Sequence, residues 1–290
     1  MILNDLIKLE KVNPPNFVIS NTVYLTEVGS HSYGVATNES DWDLYGICIP
    51  SKEVIFPHLA GEIMGFGRQK NRFEQWTEQH IVHKEKEYDF TIYNIVKYFQ
   101  LCMDGNPNMV DSLFTPRECV VHSTKVGEMI RDSRELFLHK GCWHKFRGYA
   151  YAQLSALEKQ KENPKRKESV KNFGYDVKFA YHTVRLLDEI EQILVYRHID
   201  LRRAKDMLRS IRNGEWKKED IYSWFKEKEL YLEKLYHEST IPYSPDEPEI
   251  KKILLSCLEE HYGNLDSVIK IPQREEELLK SIAQLTKEYL

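Results

Sequence analysis

Between residues 21 and 28 the chain alternates polar with β-branched or aromatic side chains (Asn-Thr-Val-Tyr-Leu-Thr-Glu-Val), a period of two that predicts a strand. Residues 43–49 (Asp-Leu-Tyr-Gly-Ile-Cys-Ile) predict a second strand, closed by Pro50. Ahead of both, Ile2, Leu3, Leu6, Ile7 and Leu9 supply the apolar side of a short amphipathic helix, which breaks at Asn13-Pro14-Pro15-Asn16. After a mixed stretch over 51–67, residues 73–91 carry one or two further strands, and that run ends in Tyr88-Asp89-Phe90-Thr91-Ile92. Residues 93–103 predict a helix that stops at Asp104-Gly105; 106–114 predict a shorter one, with Asn106 as N-cap and Pro107 in its first position. A last strand is expected from Arg117 to Val121 and a helix from Thr124 to Leu138. From Cys142 onward the spacing is helical: 142–162, 169–196, 200–212, 218–237, 248–262 and 270–289. This order predicts an α+β fold, with a small mixed β-sheet and flanking helices in residues 1–140 and an all-helical domain in residues 141–290.

The first two strands bracket the chain's densest chemistry. Val28-Gly29-Ser30-His31-Ser32-Tyr33-Gly34 is a short loop, and Ser40-Asp41-Trp42-Asp43-Leu44-Tyr45-Gly46 follows it. Gly29 can take backbone angles barred to other residues and lets a phosphate approach the main chain. Ser30 offers a hydroxyl and an N–H at a turn expected to open a short helix. Asp41 and Asp43 share one face if the strand begins at or before Asp41. Two such carboxylates repel unless a cation lies between them, and Mg²⁺ suits oxygen ligands and substrate phosphates. A second charged pattern lies in the helical half. Lys178, His182 and Arg185 stand at i, i+4 and i+7 on an otherwise apolar helix, where they need anions. A triphosphate is one answer; pairing with Asp176, Asp188 or Glu189, with His182 in the core, is the other.

Gly29-Ser30 followed by Asp41-x-Asp43 resembles the signature of the polymerase-β nucleotidyltransferase superfamily. The longer string Gly-Ser-His-Ser-Tyr-Gly-Val-Ala-Thr-x-x-Ser-Asp-Trp-Asp-Leu-Tyr-Gly is similar to the predicted nucleotidyltransferases of bacteria and phages that include the RNA-ligase-associated group. Gly-Asn-Pro-Asn before an acid and Leu-Phe, and the Lys-x-x-x-His-x-x-Arg helix, resemble the same group. The resemblance implies a third carboxylate on an adjacent strand that helps bind the metal and accepts a proton. Asp89 is the candidate and Glu87 its rival. It further implies transfer of a nucleoside monophosphate from an NTP, ATP being the expected one, to a hydroxyl, with an RNA end as the expected acceptor. Ser30 and the Gly29 turn would hold the β/γ phosphates, and Asp41, Asp43 and Asp89 would bind Mg²⁺, with Mn²⁺ as the alternative. Lys178, His182 and Arg185 would neutralise the triphosphate. A protein acceptor and a non-catalytic nucleotide-binding protein are the competing readings.

Composition narrows the field without changing it. The 290 residues are 41% hydrophobic and 30% charged with a net charge of −4, which disfavours coating nucleic acid by bulk electrostatics. No run approaches the ~20 apolar residues of a membrane span. The N-terminus lacks a signal-peptide pattern, and five scattered cysteines fit a reducing cytoplasm; the resemblance implies that of a bacterium or a phage-infected cell. Two basic clusters, Lys161/Lys165/Arg166/Lys167/Lys171 and Arg202/Arg203/Lys205/Arg209/Arg212, are solvated faces unless they border the cleft, where they would track an RNA backbone. Arg68, Lys70 and Arg72 read as a hairpin tip. Gly65-Phe66-Gly67 has Lys at position 70 and carries no dinucleotide meaning. A Gly-x-Ser-x-Gly elbow, a P-loop, a His-Glu-x-x-His motif and a Cys-x-x-Cys pair are all absent from the sequence.

Overall fold

A computed structural model describes residues 2–56, 58, 72–159 and 167–263, with side chains of 167 and 168 excluded. The expected glycine stretch 65–67, Arg68, Lys70 and the helix over 270–289 lie outside the described residues, as do Lys161, Lys165 and Arg166. Five strands form one mixed sheet in the order β3-β4-β2-β1-β5. They are β1 (Thr22–Glu27), β2 (Trp42–Cys48), β3 (Gln75–His83), β4 (Lys86–Asn94) and β5 (Val120–Ser123). β2 runs parallel to β4, and the other pairs are antiparallel. Lys84 and Glu85 join β3 to β4 at φ 49° and 63°. Two successive left-handed residues match the twist of a tight hairpin.

The period-two pattern sorts the sheet's faces. Leu25, Leu44, Phe90 and Ile92 pack with Leu3 and Leu6 of α1 (Ile2–Lys8). Val23, Tyr24, Ile47 and Tyr93 join the larger core on the other face, which continues into the C-terminal helices. That core spans the position where a boundary was expected near residue 140. Two short helices, α2 (Asn16–Ser20) and α3 (Lys52–Ile55), flank the first hairpin. Next come α4 (Ile95–Met103) and α5 (Pro107–Phe114), capped by Asn94 and Asn106 through bonds to Val96 N and Asn108 N. A 3₁₀ turn, Arg117–Cys119, occupies the start of the expected last strand, so β5 begins at Val120.

After α6 (Lys125–Asp132) the helical half comprises α7 (Cys142–Glu158), α8 (Lys167–Phe173), α9 (Val177–Tyr196), α10 (Lys205–Arg212), α11 (Lys218–Glu238) and α12 (Glu247–Tyr262). The single helix expected over 169–196 is two helices. Gly174 at φ +80° ends α8, and Asp176 restarts the chain by accepting from Lys178 N. α9 is the hub: it packs on α7, α10 and α11, and 14 of its 20 residues are buried. All five cysteines are buried free thiols. Among the described residues no helix is long and apolar enough to cross a membrane.

Candidate active site

β1 and β2 are bridged by the Gly29–Asp41 segment, and its first half is a chain of tight turns rather than the expected helix. Gly29 O accepts from Tyr33 N (3.1 Å) and Ser32 Oγ (2.8 Å), and Ser30 O accepts from Val35 N (2.9 Å). Gly29 sits at φ +68°, and a Cβ there would stand 2.8 Å from Asp43 Oδ2. Both the backbone angle and the approach of the carboxylate require glycine. The loop is also gripped from outside. Arg209 Nε donates to Gly34 O (3.0 Å), and Arg212 Nη1 donates to Val35 O (2.7 Å), while Arg212 Nη2 reaches Ser40 Oγ (3.1 Å). These members of the second basic cluster hold the loop's carbonyls, and Arg203 pairs with Asp188 and Glu191. Spacing alone could not reveal this use, because the loop and α10 are about 175 residues apart in sequence.

Asp41 immediately precedes β2 and Asp43 is its second residue. In the parallel pairing Asp43 lies directly opposite Asp89 of β4. Parallel neighbours in register point to the same face, so the two carboxylates are adjacent. Burial raises the Asp43 carboxyl from 3.8 to about 6; Asp89 and Asp41 push it the same way, and Lys178 opposes them. A surplus of carboxylate oxygens that repel one another, beside a glycine with no side chain in the way, fits a hard divalent cation. Asp41, Asp43 and Asp89 would hold it.

Asp41 and Asp43, but not Asp89, form part of the wall of a cavity of about 750 Å³ whose lining also includes Gly29, Ser30, Lys178 and His182. The N-terminal end of α9 thus faces the loop across one open space. Arg212, a member of the basic cluster that would matter only at the cleft, also lines it, as does His80, to which the sequence pattern gives no role. Glu87 is engaged with the His80 ring.

Arg185 is the correction. One turn beyond His182 the helix has entered the core, and this side chain is only 5% exposed. Its guanidinium pairs with Asp111 and, at 3.0 Å, with Glu189, and lies 4.6 Å over the Tyr33 ring. Tyr33 Oη completes the set by donating to Asp111 Oδ2 at 2.9 Å. Arg185 therefore does not face the cavity; it locks the turn after Ser30 to α5 and α9. The apolar stripe around it signalled burial, but Asp111 is too remote in sequence to be read as its partner.

The RlaP family model, described as the RNA repair pathway DNA polymerase beta family, matches residues 2–212 of this chain. An uncharacterized 38.9 kDa protein in the nrdC-mobD intergenic region of Enterobacteria phage T4 is 32% identical over 136 residues. That alignment covers 46% of this chain and 38% of the phage protein, so the chain spans well under half the length of the curated relative it matches. The crystal structure of a nucleotidyltransferase-like protein from Exiguobacterium sibiricum 255-15 superimposes with a TM-score of 0.30 at 10% identity, covering 91% of this chain and 75% of that one.

Proposed function

We propose a reaction for this chain from one premise: it belongs to the RNA repair pathway DNA polymerase beta family, a nucleotidyltransferase family. The reaction is transfer of a nucleoside monophosphate from an NTP to a hydroxyl at an RNA end, with release of pyrophosphate. The observation that carries it is the meeting, across one cavity, of the Gly29-Ser30 loop, the Asp41 and Asp43 carboxylates and the cationic end of α9. The family's description supports RNA as acceptor and ATP is the expected donor.

The Ser30 hydroxyl and the main chain at Gly29 bind the β/γ phosphates, where the absence of a side chain lets them approach. Lys178 and His182 offset triphosphate charge from the opposite wall. Asp41, Asp43 and Asp89 are the ligand set for Mg²⁺, or Mn²⁺ in its place, which when bound supplies charge neutralisation for the attacking and leaving oxygens. Asp89, on β4 opposite Asp43, accepts the proton of the attacking hydroxyl. That oxygen bonds to the α-phosphorus as the bond from the α-phosphorus to the bridging oxygen breaks.

Incubation with each α-labelled NTP and Mg²⁺, with RNA and separately cell protein as acceptors, tests this. Label on RNA that disappears in Asp43→Asn is expected. Label confined to a protein band would overturn the RNA acceptor, and an Asp43→Asn variant as active as the parent would overturn the site.

A further inference from the structure

The β3–β4 pairing is broken at one place. Partners step from Glu78↔Phe90 to Ile81↔Tyr88, so Gln79 and His80 together oppose Asp89. His80 adopts φ 59°, a left-handed angle uncommon outside glycine. The bulge aims its backbone N–H at Asp89 Oδ1 (2.7 Å) and brings its ring Nδ1 against Glu87 Oε1. One imidazole nitrogen and one oxygen from each of Glu87 and Asp89 then lie within 4.8 Å of one another. Ligands bound to one ion at about 2.0–2.2 Å stand roughly 3–4 Å apart, so small side-chain rotations close the three around a cation.

We propose that His80, Glu87 and Asp89 form a second cation site, selective for a transition-metal dication of the Zn²⁺ or Co²⁺ class and distinct from the Mg²⁺ set at Asp41 and Asp43. The donor chemistry makes the distinction. Imidazole is a poor ligand for hard Mg²⁺ and a good one for borderline metals, and one nitrogen with two carboxylate oxygens leaves positions for water. Access needs no unfolding, because the His80 side chain is 66% exposed and that of Glu87 25% exposed. His80 also lines the main cavity, and Asp89 is the register partner of Asp43. The ion would therefore share Asp89 with the Mg²⁺ set and fix the direction of its carboxylate. The inference rests on the proposed function only through that shared residue.

Co²⁺ titration of the full chain, followed by its visible absorption in excess Mg²⁺, is the test. One Co²⁺ per chain is expected, with affinity reduced at least tenfold in both His80→Ala and Glu87→Gln and unchanged in Asp43→Asn. Equal melting temperatures for parent and variants would exclude unfolding as the cause. No Co²⁺ band in the parent, an unchanged band in His80→Ala, or loss of the band in Asp43→Asn would each overturn the second site. The proposed nucleotidyl transfer fails by a different result, retained activity in Asp43→Asn, so the two can be told apart.

Discussion

Two groups of acids in this molecule contain similar parts and have opposite fates. In the strand-end group, burial lifts Asp43 to about 6, with Lys178 opposing and the charges of Asp89 and Asp41 adding to the rise. Beneath the loop, Asp111 and Glu189 are buried more deeply, yet Arg185 lies between them and Tyr33 donates to Asp111. Burial pushes both of those carboxyls upward, Glu189 the further, against the pull of Arg185. The buried group carries its own countercharge and serves as a fastener. In the strand-end group Lys178 is the cation that opposes the rise at Asp43, and burial outweighs it; a metal ion is the countercharge we propose for it. Charge balance, more than the presence of acids, separates structure from chemistry here.

Breaking the fastener should have the largest effect on stability. Arg185→Met leaves Asp111 and Glu189 buried without their cation, and a loss of about 3–5 kcal/mol is expected in denaturant unfolding. An unchanged midpoint with a raised KM for NTP would return Arg185 to the phosphate-binding set. Asp43→Asn should do the reverse: at least a hundredfold loss of transfer, about 3 kcal/mol in transition-state terms, with the denaturation midpoint retained or raised. Gly29→Ala sharpens the contrast, because strain at φ +68° and contact with Asp43 act together. A stability loss of about 1–2 kcal/mol accompanied by weaker Mg²⁺ binding is expected from melting curves and titration.

The smallest effect is in pH. In the metal-free protein Asp43 keeps its proton up to about 6, whereas in the unfolded chain it releases it near 3.8. The folded state thus binds more protons in this window, and stability should fall by about 1–2 kcal/mol as pH rises from about 4 to about 6. Asp43→Asn should flatten that slope, and a slope identical in the variant would assign it to another group.

The legibility of the site followed sequence distance. Gly29, Ser30, Asp41 and Asp43 lie within one strand–loop–strand unit, so alternation and turn chemistry place them from the sequence. Asp89 is a candidate only through the third carboxylate that the resemblance implies, and the parallel register puts it opposite Asp43. Lys178 and His182 were legible as one helix face, but where that face entered the core was not, which misplaced Arg185. Gly174 and Asp176 held the signal for the break in the helix expected over 169–196, a left-handed stop followed by a cap. His80 could not have been found by spacing, because a bulge moves it out of the alternation that defines its strand. The arginine grip on the loop likewise depends on tertiary packing of α10 against residues far earlier in the chain.

Mg²⁺ titration of the parent, Asp43→Asn and Arg185→Met, with melting temperatures taken on the same samples, tests the division of labour most directly. The expected result is Mg²⁺ binding lost in Asp43→Asn with melting unchanged or higher, and Mg²⁺ binding kept in Arg185→Met with melting lower. Mg²⁺ binding of parental strength in Asp43→Asn would contradict the assignment of the strand-end carboxylates as the cation-binding centre.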